Sequence, residues 1–130
     1  MGRKPKKHTK QSLNNIETKV YNILTSLRVS FKIQTNVDKY NVDFLVDDKY
    51  IIECYGDFWH CNPERYKPDY FNRGKRKLAK DIWKRDACRK ELFEKQGYKF
   101  LSLWETDINK HPKKVRSKIK QLLRQKKHEE

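Results

Sequence analysis

Near residue 28 the spacing of apolar side chains changes from helical to extended, which limits the chain to architectures that pack helices on a sheet. Before it, Ile16, Val20, Ile23, Leu24 and Leu27 fall at i, i+4, i+7, i+8 and i+11, one stripe of an amphipathic helix over residues 13–27. Asn14 and Glu17 have the spacing of a capping box at its start. After it, Val29, Phe31 and Ile33 alternate with Ser30, Lys32 and Gln34, which predicts a strand. Residues 40–46 and 49–55 predict two more strands, joined as a hairpin at Asp47-Asp48. Residues 56–76, broken by Pro63, Pro68 and Gly74, predict an irregular segment. A helix over 77–96 then ends before Gly97, followed by a fourth strand over 98–104 and a turn at 107–111. A last helix starts at Pro112, with Val115, Ile119, Leu122 and Leu123 inward. The expected order is α-β-β-β-α-β-α, an α/β fold with a mixed central sheet flanked by helices.

Composition narrows the function classes. Charged residues make up 38% of the chain, against about a quarter in ordinary domains. Lys and Arg number 32 against 17 acids, a net charge of +15, so a polyanion is the expected partner. So charged a chain could resist folding, but six Phe, seven Tyr and three Trp supply apolar area for a core. No apolar run approaches the roughly 18 residues of a membrane span, and the basic N-terminus lacks the apolar region of a secretory signal. Cys54, Cys61 and Cys88 form neither a CxxC pair nor an even set, so reduced thiols inside a cell are expected. The expected organisation is a basic arm over 1–10, one domain over 11–126 and a short tail over 127–130.

Several acids sit badly with a purely structural fold. Glu17 lies beside the buried stripe of the first helix, where it either closes the capping box or faces a site. Asp43 interrupts the apolar strand Val42 to Val46; it lies on the solvent face or is buried and needs a partner or a cation. Glu53 occupies the neighbouring strand, so two carboxylates could converge on one hard divalent ion, unless Glu53 too points outward. Past that strand, Phe58, Trp59 and His60 form a loop that either packs on itself or presents a general base. Asp86, on the inward side of the second helix by its spacing from Ile82 and Phe93, can orient a histidine or pair with Lys90. Together these residues fit metal-assisted phosphodiester hydrolysis.

The segments Val42-Asp43-Phe44, Ile51 to His60, Lys84-Arg85-Asp86 and Gly97 to Glu105 resemble the very short patch repair (Vsr) endonucleases. They resemble equally the Vsr-like homing endonucleases of phages, a clade with a Glu-Asp-x-His-Asp signature within the PD-(D/E)xK superfamily. The similarity spans roughly residues 13–110 and implies a restriction-endonuclease-like core. By that resemblance Asp43 binds metal, assisted by Glu53 or the Cys54 carbonyl, and His60 is the general base, supported by Asp86. Glu17 is the acid from the first helix, and Phe58 and Trp59 are wedges that enter the base stack. Val42 replaces the superfamily's Pro and Tyr55 its Lys, so His60 must take over the work of the Lys. Asp57, Asn62, Glu64 and Thr106 stand where the repair enzymes hold a structural zinc, so no zinc is expected and the homing branch is the better match.

The resemblance thus implies an endonuclease dependent on magnesium or manganese, acting on double-stranded DNA inside a cell, in cytoplasm or nucleoid, with a phage as one source. One active site nicks one strand; cutting both requires a homodimer or two successive events. Arg73, Lys75, Arg76, Lys77, Lys84 and Arg85 are the leading phosphate contacts, with Lys80, Arg89, Lys90 and a second basic run over 110–127 behind them. A mismatch-repair enzyme is the nearer alternative. A basic DNA- or RNA-binding module without catalysis is the alternative from another class; it explains the charge and leaves the inward acids unexplained.

Overall fold

The computed structural model describes residues 13–125; the expected arm and tail lie outside the described residues. Helix α1 (Asn15–Ser26) opens with a complete capping box. The Glu17 N–H donates to Asn14 Oδ1 at 2.8 Å and the Asn14 N–H to Glu17 Oε1 at 3.1 Å. Strands β1 (Phe31–Val37), β2 (Tyr40–Val46) and β3 (Tyr50–Tyr55) form an antiparallel meander. Asp47 and Asp48 turn β2 into β3 with φ of 52° and 56°, the left-handed pair that a tight hairpin needs.

Helix α2 (Ala79–Lys95) is the crossover that returns the chain to β6 (Lys99–Trp104), which lies parallel to β3. It ends at Gly97, φ 97°, with Tyr98 N–H on the Phe93 carbonyl and Gly97 N–H on that of Glu94, a Schellman closure. The sheet order is β1-β2-β3-β6, so β3 is central and both its faces are covered. On one face Phe44, Val46, Ile52 and Leu103 meet α1 and the C-terminal helices through Val20, Leu24, Val115 and Ile119. On the other, Val42, Leu45, Ile51 and Phe100 meet α2 through Phe93. The class expected from the sequence, a mixed sheet flanked by helices, is the class observed.

The main departures from expectation lie in three places. Val29 precedes β1, which instead runs on to Val37. Within the segment expected to be irregular, β4 (Phe71–Asn72) pairs with β5 (Lys77–Leu78), so α2 begins at Ala79 rather than residue 77. Two-residue strands are too short to show a period. The expected turn at 107–111 lies largely in α3 (Glu105–Lys110), where buried Ile108 pins one helical turn before α4 (Pro112–Arg124). Its Asp, Asn and Thr content favours a turn locally, and packing overrides that preference. No described helix is long and apolar enough to cross a membrane.

Candidate active site

The site begins where β2 leaves β3. Their paired register runs Val46↔Tyr50, Leu45↔Ile51 and Phe44↔Ile52. One step on, the Cys54 N–H is taken by Asp43 Oδ2 at 2.8 Å, a side-chain acceptor. The distortion is shared by β1. Gln34, opposite Asp43 by the flanking pairs Ile33↔Phe44 and Thr35↔Val42, has φ 45°. Val42 and Phe44, which strict alternation would put on one face, belong to clusters on opposite faces. The backbone therefore rotates at Asp43, and a left-handed non-glycine residue within a strand marks the kind of local strain that gathers at functional sites.

Neither acid on this hairpin faces open solvent. Burial pushes the Asp43 carboxyl up to about 7; the Cys54 N–H opposes this, and the charges of Glu17 and Glu53 add to it, as does a hydrogen bond with Glu17. Glu53 is 7% exposed, and its carboxyl too is raised by burial, with Arg89 pulling the other way. Glu17 serves both of the roles weighed from sequence: it closes the capping box and lines the same cleft as Asp43. Burial likewise pushes the Cys54 thiol well up, with the charges of Asp43, Glu17 and Glu53 adding to it.

The loop after β3 brings the imidazole in. His60 Nδ1 lies 2.8 Å from Asp86 Oδ2 on α2. A carboxylate only accepts, so Nδ1 carries the proton, and in the neutral ring Nε2 is then the acceptor. The ring stacks on Tyr55 at 3.9 Å between centroids, 4° from parallel. Asp86 has this partner in place of the Lys90 pair weighed from sequence. The loop is braced from three directions. Asn72 Nδ2 donates to the Phe58 carbonyl at 2.7 Å, Trp83 Nε1 to that of Cys61 at 2.6 Å, and the Asp57 N–H to Glu105 Oε1 at 2.9 Å. The Asp57 carboxylate accepts from Thr106 Oγ1 and from Asn62 Nδ2, while Asn62 Oδ1 accepts the Glu64 N–H. Burial alone would raise the Asp57 carboxyl; the hydrogen bonds from Thr106 and Asn62 hold it below its ordinary value. The positions likened to zinc ligands thus form a polar clamp between the loop and α3.

One cleft of about 540 Å³ is lined by Glu17, Asp43, Glu53, Cys54, His60 and Asp86, together with Tyr55 and Arg89. Of the basic residues singled out from sequence, Lys75, Lys77 and Arg85 line it too, whereas Arg73, Arg76 and Lys84 are exposed away from its lining. Phe58 and Trp59, next to His60 in the chain, lie outside its lining, 37% and 52% exposed, with rings edge to face at 5.2 Å. Gly74, in the β4–β5 turn, lies under them; a Cβ there would come within 2.5 Å of the Trp59 ring. Sequence reasoning missed three contributors: the Tyr55 ring under His60, the ribbon under the aromatic pair, and Arg89 on Glu53. The last had a signal, since Ile82, Asp86, Arg89 and Phe93 share one stripe of α2.

Among the described residues, no three His, Cys, Asp or Glu side chains are grouped so as to hold a metal ion by themselves. The donor set nonetheless suits a hard cation. Asp43 and Glu17 offer carboxylate oxygens, and the Asp43 carboxyl, its charge disfavoured by burial and by two neighbouring acids, has no positive partner among the described residues. A hard cation there would need further oxygens, from water or a substrate.

A mixed sheet splayed at a half-buried Asp, with a His–Asp pair at the end of the neighbouring strand, defines a mixed α/β fold of the nuclease-like kind. No protein-family model matches the chain, and no curated protein matches it. Among solved structures it is similar to the catalytic domain of the homing endonuclease I-Bth0305I, at 19% identity and a TM-score of 0.59, over 85% of this chain and 94% of that one. At that identity the likeness establishes a shared fold.

Proposed function

We propose that the chain is a metal-dependent DNA endonuclease of the Vsr-like, PD-(D/E)xK type, closest in character to the homing branch and acting inside the cell. The observation that carries this reading is that the Asp43 carboxylate and the His60–Asp86 pair line one cleft. The shared fold with a homing endonuclease catalytic domain supports it, as does the net charge of +15.

In this reading His60 Nε2 takes a proton from the water that attacks the scissile phosphate, while Asp86 holds Nδ1–H and stabilises the imidazolium that forms. Stacking on Tyr55 keeps the ring from rotating. A magnesium or manganese ion held by Asp43 and Glu17, with the Cys54 carbonyl as a further donor, would supply charge neutralisation at the phosphate. Lys75, Lys77 and Arg85 draw the DNA backbone over the cleft, and Phe58 and Trp59 wedge against the base stack beside it. A monomer carries one such site and nicks one strand; a homodimer on DNA would cut both.

The test is cleavage of supercoiled plasmid with magnesium, with EDTA, and by the Asp43→Ala and His60→Ala variants. The expected result is nicking by the wild-type protein with metal alone, and none by either variant. DNA binding without cleavage in every arm would establish the non-catalytic module instead, and undiminished cutting by Asp43→Ala would refute the assigned site. Comparing mismatched duplexes with intron- or intein-insertion sequences then separates repair from homing.

A further inference from the structure

A phosphodiester site needs fixed positive charge as well as a base, and the cleft's cations differ in how firmly they are held. Lys75, Lys77 and Arg85 have no side-chain partner among the described residues. Arg89, by contrast, is held in place. Its Nη2 donates to Glu53 Oε2 at 3.1 Å and to the Asn41 carbonyl at 2.6 Å, and the guanidinium lies 5.4 Å over the Tyr40 ring and 5.5 Å over that of Phe93. Four contacts from β2, β3 and α2 itself fix one plane.

The way Arg89 meets Glu53 is informative. A guanidinium paired with a buried carboxylate frequently forms two parallel hydrogen bonds to it. Here one nitrogen is shared between Glu53 and a main-chain oxygen. Nε is buried without an acceptor among the described residues. Nη1 makes no hydrogen bond among them and is not buried, in a residue that lines the cleft. Arg89 also sits one turn from Asp86 on the same face of α2, so it is carried by the element that orients His60.

We propose that Arg89 is the preorganised phosphate-binding residue of the cleft, with Glu53 as its anchor: Glu53 and the Asn41 carbonyl aim the guanidinium so that Nη1 meets a phosphate oxygen of the DNA strand. The inference rests on reading the cleft as a phosphodiester site. It gives Glu53 a task other than metal ligation, and it separates Arg89 from the exposed bases of the same run, which supply diffuse attraction. A donor held in place in a partly enclosed cleft needs no reorganisation when the phosphate arrives.

The test measures binding of a short labelled DNA duplex in EDTA over a range of KCl, so it does not depend on cleavage. Arg89→Met alone would leave Glu53 buried without its partner, so the comparison is Glu53→Gln against the double variant Glu53→Gln, Arg89→Met. Glu53→Gln is expected to bind at least as tightly as wild type, because a negative charge has left the cleft. The double variant is expected to bind several-fold more weakly, with a log–log salt slope smaller by about one. Lys95→Met, the same loss of charge at the exposed C-terminal end of α2, is expected to leave the slope unchanged. Arg89→Lys, which keeps a charge opposite Glu53, is expected to retain affinity in EDTA and to cut more slowly at saturating DNA with metal. Equal slopes for Glu53→Gln and the double variant would overturn the proposal, as would an equal loss in Lys95→Met. Failure of the wild-type protein to cut plasmid with any divalent metal would remove the nuclease reading while the binding comparison still decides the role of Arg89.

Discussion

Replacing Asp43 by Asn is expected to stabilise the metal-free protein at neutral and alkaline pH while abolishing cleavage. Asn keeps an oxygen to accept the Cys54 N–H, so the main change is the loss of a charge that burial, Glu17 and Glu53 all disfavour. The folded carboxyl is raised from 3.8 to about 7. Between those values the folded state holds a proton that the unfolded state has released, so stability falls as pH rises through that window. A shift of that size corresponds to about 4 kcal/mol at pH above 7, and partial exposure and relaxation reduce the expected gain to roughly 2–4 kcal/mol. Urea denaturation from pH 4 to 8.5 in EDTA, read as the difference between variant and wild type, measures it; the difference cancels titrations the two proteins share. The two are expected to be nearly equal at pH 4 and to diverge as pH rises to about 7, with the variant the more stable. Magnesium at pH 8 should then stabilise the wild type and leave the variant unmoved. Parallel curves across the whole range would mean that Asp43 titrates as an ordinary surface acid, and the account of the cleft would fail with it.

Three further outcomes follow from the geometry. His60→Ala should cut about 10²- to 10⁴-fold more slowly in single-turnover assays, with DNA affinity in EDTA unchanged, since the ring serves proton transfer. Asp57→Ala should cost roughly 1–3 kcal/mol at pH 7 in urea denaturation, because Asn62 and Thr106 lose their buried acceptor. The folded Asp57 carboxyl lies below its ordinary value, so its contribution is present above 3.8 and is lost as pH falls through the folded pKa; the gap to wild type should close in acid. Gly74→Ala should displace the half-exposed Trp59 ring, seen as changed tryptophan emission and weaker DNA binding, with stability altered by less than about 1 kcal/mol. Unchanged emission and affinity would mean that the ribbon does not support the aromatic pair.

The layers of this fold are legible in the chain because each element repeats its signal. Ile16, Val20 and Leu24 mark a helix three times over, and the Asn14–Glu17 box marks its start twice. Phe71-Asn72 and Lys77-Leu78 repeat nothing, so the ribbon becomes visible only through its tertiary role, backing Phe58 and Trp59. The site divides the same way. Asp43 and Asp86 are conspicuous because an acid breaks an apolar stripe. Arg89 breaks the same stripe three residues on, but among so many basic residues one more cation carries no contrast.

The rotation at Asp43 is the part that no periodicity could show, and it connects the rest. Had β2 continued its pairing past Phe44, the Cys54 N–H would have had a main-chain partner and Asp43 would have alternated to one face of a closed sheet. The splay frees that N–H for a carboxylate and leaves the end of β3 without β2 as a neighbour, where Tyr55 and His60 stack. It also takes Val42 to the α2 face, the face on which Arg89 reaches Asn41 and Glu53. Straightening β2 would improve the sheet and close the cleft in the same step. Gln34→Gly, which relieves the left-handed residue opposite Asp43, should therefore leave both stability and the site in place, whereas a β-branched residue there, Gln34→Val, should destabilise the fold by roughly 1–3 kcal/mol. If Gln34→Val were instead more stable in urea denaturation and still cut DNA, the rotation would be incidental and the site would have to be built some other way.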